Sequence, residues 1–419
     1  MRIALLLSAA LFSISALGAD DINTLAAEIN AAHKAHDYPA MEADANKLLD
    51  KVPGYPFVIY LLAVAREGRG DGVGALAALN QLADMGLYFD VRKGGNFTAL
   101  QASREFAALE ARFAANRKPM GKAAAAFRLT EPDFIPEGLT HDPASGDFFV
   151  GSVHLRKILR VHGNTVSTFA TRESGLWSVM ALRADPARGA LWAVSEALPQ
   201  MQDYAAKLEG KSALLRFDLH SGALEETYVA SDGGAHGFND LTVAPDGSVY
   251  VADDSGGVYA LAPGAKALKA LTPAGALLSS QGLALSANGR YLYIADYGAG
   301  LYAYDLVGDK LSRLNAPADV ATFGVDGLYL YGHDLVATQN GVEPQRVIRY
   351  RLDSTGLAIS SDTLLDANDP LVPEPTLISV AGDTLYMVAN AQWSRFDDQN
   401  HLPANGQLQV PLIAQLPLR

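Results

Sequence analysis

The chain has no cysteine among its 419 residues. That excludes disulfides, thiolate metal sites, iron–sulfur clusters and any cysteine nucleophile. Charge is sparse at 19%, and bases are outnumbered 33 to 46 by acids, for a formal net charge of −13. An acidic chain is poorly suited to tracking a phosphate backbone, so nucleic acid is not an expected partner. Cations and neutral small molecules suit it better. Beyond residue 18, no apolar run reaches the roughly 20 residues of a membrane helix. Several catalytic signatures are missing too: the Gly-x-Ser-x-Gly elbow, the phosphate loop, the dinucleotide glycine fingerprint and His-Glu-x-x-His.

The N-terminus opens on Met1-Arg2 and an almost wholly apolar stretch, Ile3 to Leu17. Ala16-Leu17-Gly18 places small residues where a signal peptidase needs them, and Asp20-Asp21 end the apolar run. This predicts a signal peptide over 1–18 and an exported product, periplasmic or secreted. A retained anchor is the alternative reading.

Residues 19–117 are rich in Ala, Leu, Glu and Lys. Apolar residues recur at helical spacing, as in Leu25, Ile29 and Ala32. Breakers at Asp37-Tyr38-Pro39, Pro53-Gly54, Gly68 to Gly72 and Gly94-Gly95 divide the stretch into about five helices. Asp37 and Asp71 stand 34 residues apart, and at that offset Ala43 meets Ala77 and Leu48 meets Leu82. The period is that of tetratricopeptide helix pairs. So short an array is expected to pack on its neighbour, and a protein partner is open to it. Residues 118–126 read as a linker.

From residue 127 to 419 the texture is all-β. Six segments share one pattern, an apolar strand, a small turn and a second apolar strand. They are Glu137–Gly151, Met180–Ser195, Asn239–Asp253, Gln281–Asp296, Asp326–Thr338 and Pro375–Asn390. Their turn glycines, Gly146, Gly189, Gly247, Gly289, Gly332 and Gly382, are separated by 43, 58, 42, 43 and 50 residues. Four-stranded units at this spacing are propeller blades, and a β-sandwich gives no reason for six-fold repetition. The expected fold is mainly β, a six-bladed propeller after a small α-helical domain. The first and last β stretches are expected to share the closing blade.

Aligning the segments exposes one column: Glu137, Met180, Asn239, Gln281, Asp326 and Pro375. Each is expected to start the first strand of its blade, at one mouth of the central channel. Two carboxylates and two amides among them are hard oxygen donors, the set calcium takes. Two buried acids would repel each other without a cation. A divalent metal, best Ca2+, is the expected cofactor. The ends of the second strands, Ser152 and His154, Ser195 and Glu196, Asp253 and Asp254, Asp296, Gln339 and Asn340, and Asn390, would supply a polar rim for a small molecule or serve as plain turn chemistry.

The runs Pro136-Glu137-Gly138-Leu139, Phe238-Asn239-Asp240-Leu241, Gln281-Gly282-Leu283, Tyr291 to Asp296 and Asp326-Gly327 together resemble the gluconolactonase/regucalcin (senescence marker protein) family. The resemblance implies a six-bladed propeller with a divalent metal in its channel and, in many members, lactone hydrolysis. It implies Glu137 and Asp326 as metal ligands, with Asp326 also the general base. Gln281 falls where the family has an Asn ligand, and Asn239 on an Asn that contacts substrate or metal. Family lactonases often carry Arg two residues before that Asn, where this chain has Gly237. The departure counts against sugar-acid lactones more than against metal binding.

His236 is a candidate proton shuttle and substrate contact. Trp177, Trp393 and Phe238 would wall the pocket or serve as core, and Asn340 is a candidate substrate contact. Two functions stay open: a metal-dependent hydrolase of a lactone or ester, and a non-enzymatic exported scaffold that binds ligands or proteins.

Overall fold

The computed structural model describes residues 19–273, 275–403 and 408–419. The predicted leader, 1–18, lies outside the described residues. No helix among them is long and apolar enough to cross a membrane.

Five helices come first: α1 (Ala19–Ala35), α2 (Tyr38–Lys51), α3 (Pro56–Gly68), α4 (Gly72–Asp84) and α5 (Arg104–Asn116). The 34-residue repeat has a direct cause. Asp37 and Asp71 are equivalent N-caps, accepting from the amides of Ala40 (3.2 Å) and Gly74 (2.9 Å). Leu48 and Leu82 are both buried, whereas Ala43 and Ala77 face solvent. The matched alanines therefore mark equivalent outer faces, not helix crossings.

The remainder forms six four-stranded antiparallel sheets. The innermost strands of blades 1 to 6 are Pro136–His141, Ser178–Asp185, Phe238–Val243, Ser280–Leu285, Val325–Tyr331 and Ile378–Ala381. Each touches the next, and the sixth touches the first, closing the ring. The sixth blade takes Leu412–Pro417 as its third strand and the early strand Ala124–Arg128 as its fourth. Closure by the two ends leaves no long open edge. All six turn glycines sit at positive φ, between 59° and 96°, where a Cβ would be strained.

Six apolar clusters fill the spaces between neighbouring blades. Between blades 2 and 3, for example, Val194 and Leu214 meet Leu241 and Val251. A seventh cluster joins the helices to the propeller, with Ala299, Ala321 and Phe323 buried among helical side chains.

Candidate functional site

The column read from the repeats has a structural signature. In blades 1 to 5 the pairing of the innermost strand with its neighbour slips at the column position. The slips fall between Pro136 and Leu139, Val179 and Ala181, Phe238 and Asp240, Ser280 and Leu283, and Val325 and Leu328. Glu137, Met180, Asn239, Gln281 and Asp326 are thus bulge residues. A bulge re-aims a side chain out of the alternating pleat. Pro375 departs from the expectation, lying ahead of its strand, which starts at Ile378. Proline cannot donate to a ladder. Its carbonyl instead accepts from Asn340 at 2.9 Å.

The inner strands approach closely beside these bulges. A Cβ on Gly282 would lie 2.4 Å from the Asp326 carbonyl oxygen and 2.5 Å from the Leu328 amide. Glycine is required there by contact rather than by φ.

Glu137 is 5% exposed, and its Oε2 accepts from the Trp393 indole at 2.6 Å. Burial, and then the charge of Asp326, push its carboxyl well above the usual range. Burial also pushes Asp326 up to about 7, against the pull of the Asn340 amide, with Asp240 adding to the rise. The fold therefore holds two acids from blades 1 and 5 within electrostatic reach of each other. Asn239 donates Nδ2 to the Ser280 carbonyl at 2.8 Å, and its buried Oδ1 has no partner among the described residues. Gln281 is tied back to its own strand, donating Nε2 to the Ser279 hydroxyl at 3.1 Å. Met180 packs into the apolar cluster of blades 2 and 3.

Asn340 is fully engaged. It donates to Asp326 Oδ2 at 2.6 Å and accepts from the Tyr297 hydroxyl at 3.0 Å. Its amide orients an acid. His236 is held from two sides. Nδ1 meets Asp253 Oδ2 at 2.7 Å and Nε2 meets Asp232 Oδ1 at 2.8 Å. Both ring nitrogens are engaged by carboxylates in this structure. Phe238 is fully buried core and stacks on His236. Trp177 is half-buried in the cluster of blades 1 and 2, its amide held by Ser195 Oγ at 2.8 Å.

Most of the expected polar rim is turn chemistry. Asp296 accepts from the amides of Leu278, Ser279, Gly298 and Ala299. Asp253 takes those of Gly237 and Ser255. Gln339 donates to the carbonyls of Ala321 and Phe323, and Asn390 clamps Leu412 and Val410. Each commits polar atoms to backbone groups, while Asp253 Oδ2 also meets His236 and Gln339 Oε1 also accepts from Arg346. Glu196 and Asp254 are different. Burial and neighbouring acids push both up, Asp254 to about 6. Asp240 is not singled out by the repeat pattern. This buried acid accepts from the Leu283 amide at 2.8 Å and braces blade 3 against blade 4. Its signal was its position directly after the column residue.

The sequence model of the SMP-30/Gluconolactonase/LRE-like region matches residues 135–360, just over half of the chain. The chain belongs to the SMP-30/gluconolactonase/LRE-like family. The match spans the innermost strands of blades 1 to 5, and with them Glu137, Asn239, Gln281 and Asp326. Solved structures of similar shape include a regucalcin from Agrobacterium tumefaciens, described as a calcium-binding protein. It is 19% identical, with 70% of this chain and 93% of that one covered and a TM-score of 0.48. A gluconolactonase from Xanthomonas campestris is 18% identical, covering 72% and 99%, with a TM-score of 0.47. A virginiamycin B lyase from Staphylococcus aureus is 14% identical, covering 70% and 98%, with a TM-score of 0.48. No curated protein matches the chain.

Proposed function

We propose that the chain is a metal-dependent hydrolase of a lactone or ester, working at the channel mouth that carries Glu137 and Asp326. One observation carries this reading: two column carboxylates from blades 1 and 5 are both buried, and the charge of Asp326 reaches Glu137. Such a pair is costly unless a cation or a proton offsets it. The buried, unpartnered Asn239 Oδ1 adds a neutral oxygen to the set. These donors fit a hard divalent ion such as Ca2+. Among the described residues no three acids or imidazoles gather as a ready cluster. Glu137 and Asp326 would therefore hold the ion with Asn239 and Gln281 amide oxygens or water completing its shell.

When bound, a divalent cation polarises a substrate carbonyl as a Lewis acid. The chain's own residues do the rest. Asp326, held at Oδ2 by Asn340, would take a proton from an attacking water. Trp393 fixes Glu137 through one oxygen. The export leader and the periplasmic or secreted location remain part of this proposal.

A panel of lactones and esters, assayed with calcium and with Asp326→Ala as control, tests the reading. Calcium-dependent turnover abolished by the substitution supports it. Bound calcium without turnover would favour the non-enzymatic scaffold.

A further inference from the structure

The helices do not hang from the ring. They dock on blades 4 and 5 at the end of the propeller where Asp326 stands. Tyr55, at the start of α3, stacks on Phe323 with centroids 4.9 Å apart and planes 5° from parallel. The Tyr88 amide donates to the Glu343 carbonyl at 2.7 Å. Arg313 donates to the Pro53 carbonyl at 2.8 Å. Arg346, 3% exposed, sends Nη1 to the Met85 carbonyl at 3.0 Å, just past α4. Its Nε goes to Gln339 Oε1 at 2.5 Å.

Arg346 is a buried cation whose hydrogen bonds go to neutral oxygens, Gln339 Oε1 and the Met85 and Gly86 carbonyls of the helical region. Losing those carbonyls would leave the charge poorly solvated, so the docked helices and Arg346 depend on each other. Gln339 passes the link on. Its Nε2 holds the carbonyls of Ala321 (3.0 Å) and Phe323 (2.6 Å), on the segment that leads into Asp326. The adjacent Asn340 holds Asp326 Oδ2 itself. Gly341 closes the segment by donating to the Gly324 carbonyl at 3.1 Å.

We propose that the helical array serves as a strut for the channel site, with Arg346 and Gln339 as positioning residues that carry its docking to Asp326 and Asn340. The proposal rests on the reading of Asp326 as a site residue. It gives the helices an internal partner, the segment 321–346 of the same chain. Hydrogen-bonded partners of a ligating carboxylate are worth about 10- to 100-fold in metal affinity when lost.

The test uses the full chain with Arg346→Met and Tyr55→Ala, the second acting from the helical side. Two readouts are taken: hydrogen exchange of segment 321–345 against blade 1 as internal control, and calorimetric titration with calcium chloride. The expected result is faster exchange confined to 321–345 and calcium affinity lower by about tenfold or more. Arg346→Lys, which keeps the charge and a donor, should recover part of both. Exchange unchanged in that segment, or equal in all blades, would overturn the strut. So would unchanged calcium affinity in a loosened variant. Wild-type protein that takes up no calcium would sink the metal reading instead, and exchange alone would then decide whether the link exists. Should Arg346→Met fail to fold, Tyr55→Ala carries the test.

Discussion

The indole of Trp393 donates to Glu137 Oε2 at 2.6 Å, tying a loop of the closing blade to the innermost strand of the first. A hydrogen bond to a charged group is worth about 1.5–3 kcal/mol and favours the ionised acid. Trp393→Phe should therefore weaken calcium binding while leaving the fold intact. Trp393 is also one of three tryptophans. Calcium should change the intrinsic fluorescence of the wild type, and Trp393→Phe should lose most of that change. Emission spectra across a calcium titration check both points.

Cation uptake should release protons. Glu137 and Asp326 are both raised in the calcium-free protein, Asp326 to about 7. A ligand must lose its proton before it binds metal. Calcium affinity should fall as pH drops below about 7, where Asp326 takes up a proton. Calorimetry in two buffers of different ionisation heat measures the protons released, and their absence would contradict the pairing.

His236 makes a second pH-dependent contribution, of opposite sign. Burial opposes its charge, but Asp253 and Asp232 outweigh burial and raise it above 6.5. Tyr259 faces the same group, donating its hydroxyl to Asp232 at 2.7 Å. A raised imidazole stabilises fully below its unfolded value and loses that contribution as pH climbs through the folded one. Moving from about pH 6 to about pH 8.5 should lower the thermal midpoint of the wild type through this group. His236→Gln should lower the midpoint at the acid end and flatten the trend. Thermal unfolding of both proteins at the two pH values makes the comparison.

Glycine substitutions separate close approach from turn strain. Gly282→Ala drives a methyl onto the Asp326 carbonyl and should cost about 1–3 kcal/mol by overpacking. Gly289→Ala meets no atom within 4 Å but sits at φ +68°, which should cost about 1–2 kcal/mol. Urea unfolding should find similar losses for the two. Only Gly282→Ala should also weaken calcium binding, because only it displaces the strand that carries Asp326.

Local chemistry was readable before the structure. The glycines marked turns, the Asp37–Asp71 spacing marked a helical repeat, and five of the six column residues prove to be bulges. Partners remote in sequence were not. Trp393 reaches Glu137 across 256 positions and Arg346 reaches Met85 across 261, and no spacing rule encodes either. The two acids that hold His236 were not legible either, because a lone histidine in a sequence gives no sign of what its ring nitrogens meet. The polarity of Asn340 is visible in the sequence, whereas its bond to Asp326 is not.

The most direct test of the account is calcium titration of the wild type beside the double variant Glu137→Gln/Asp326→Asn. These substitutions keep side-chain size and remove both charges. The account predicts one calcium site per chain, lost in the variant while its thermal midpoint holds or rises as the like-charge repulsion disappears. A wild type that binds no divalent cation, or a variant that binds calcium as tightly as the wild type, would contradict it.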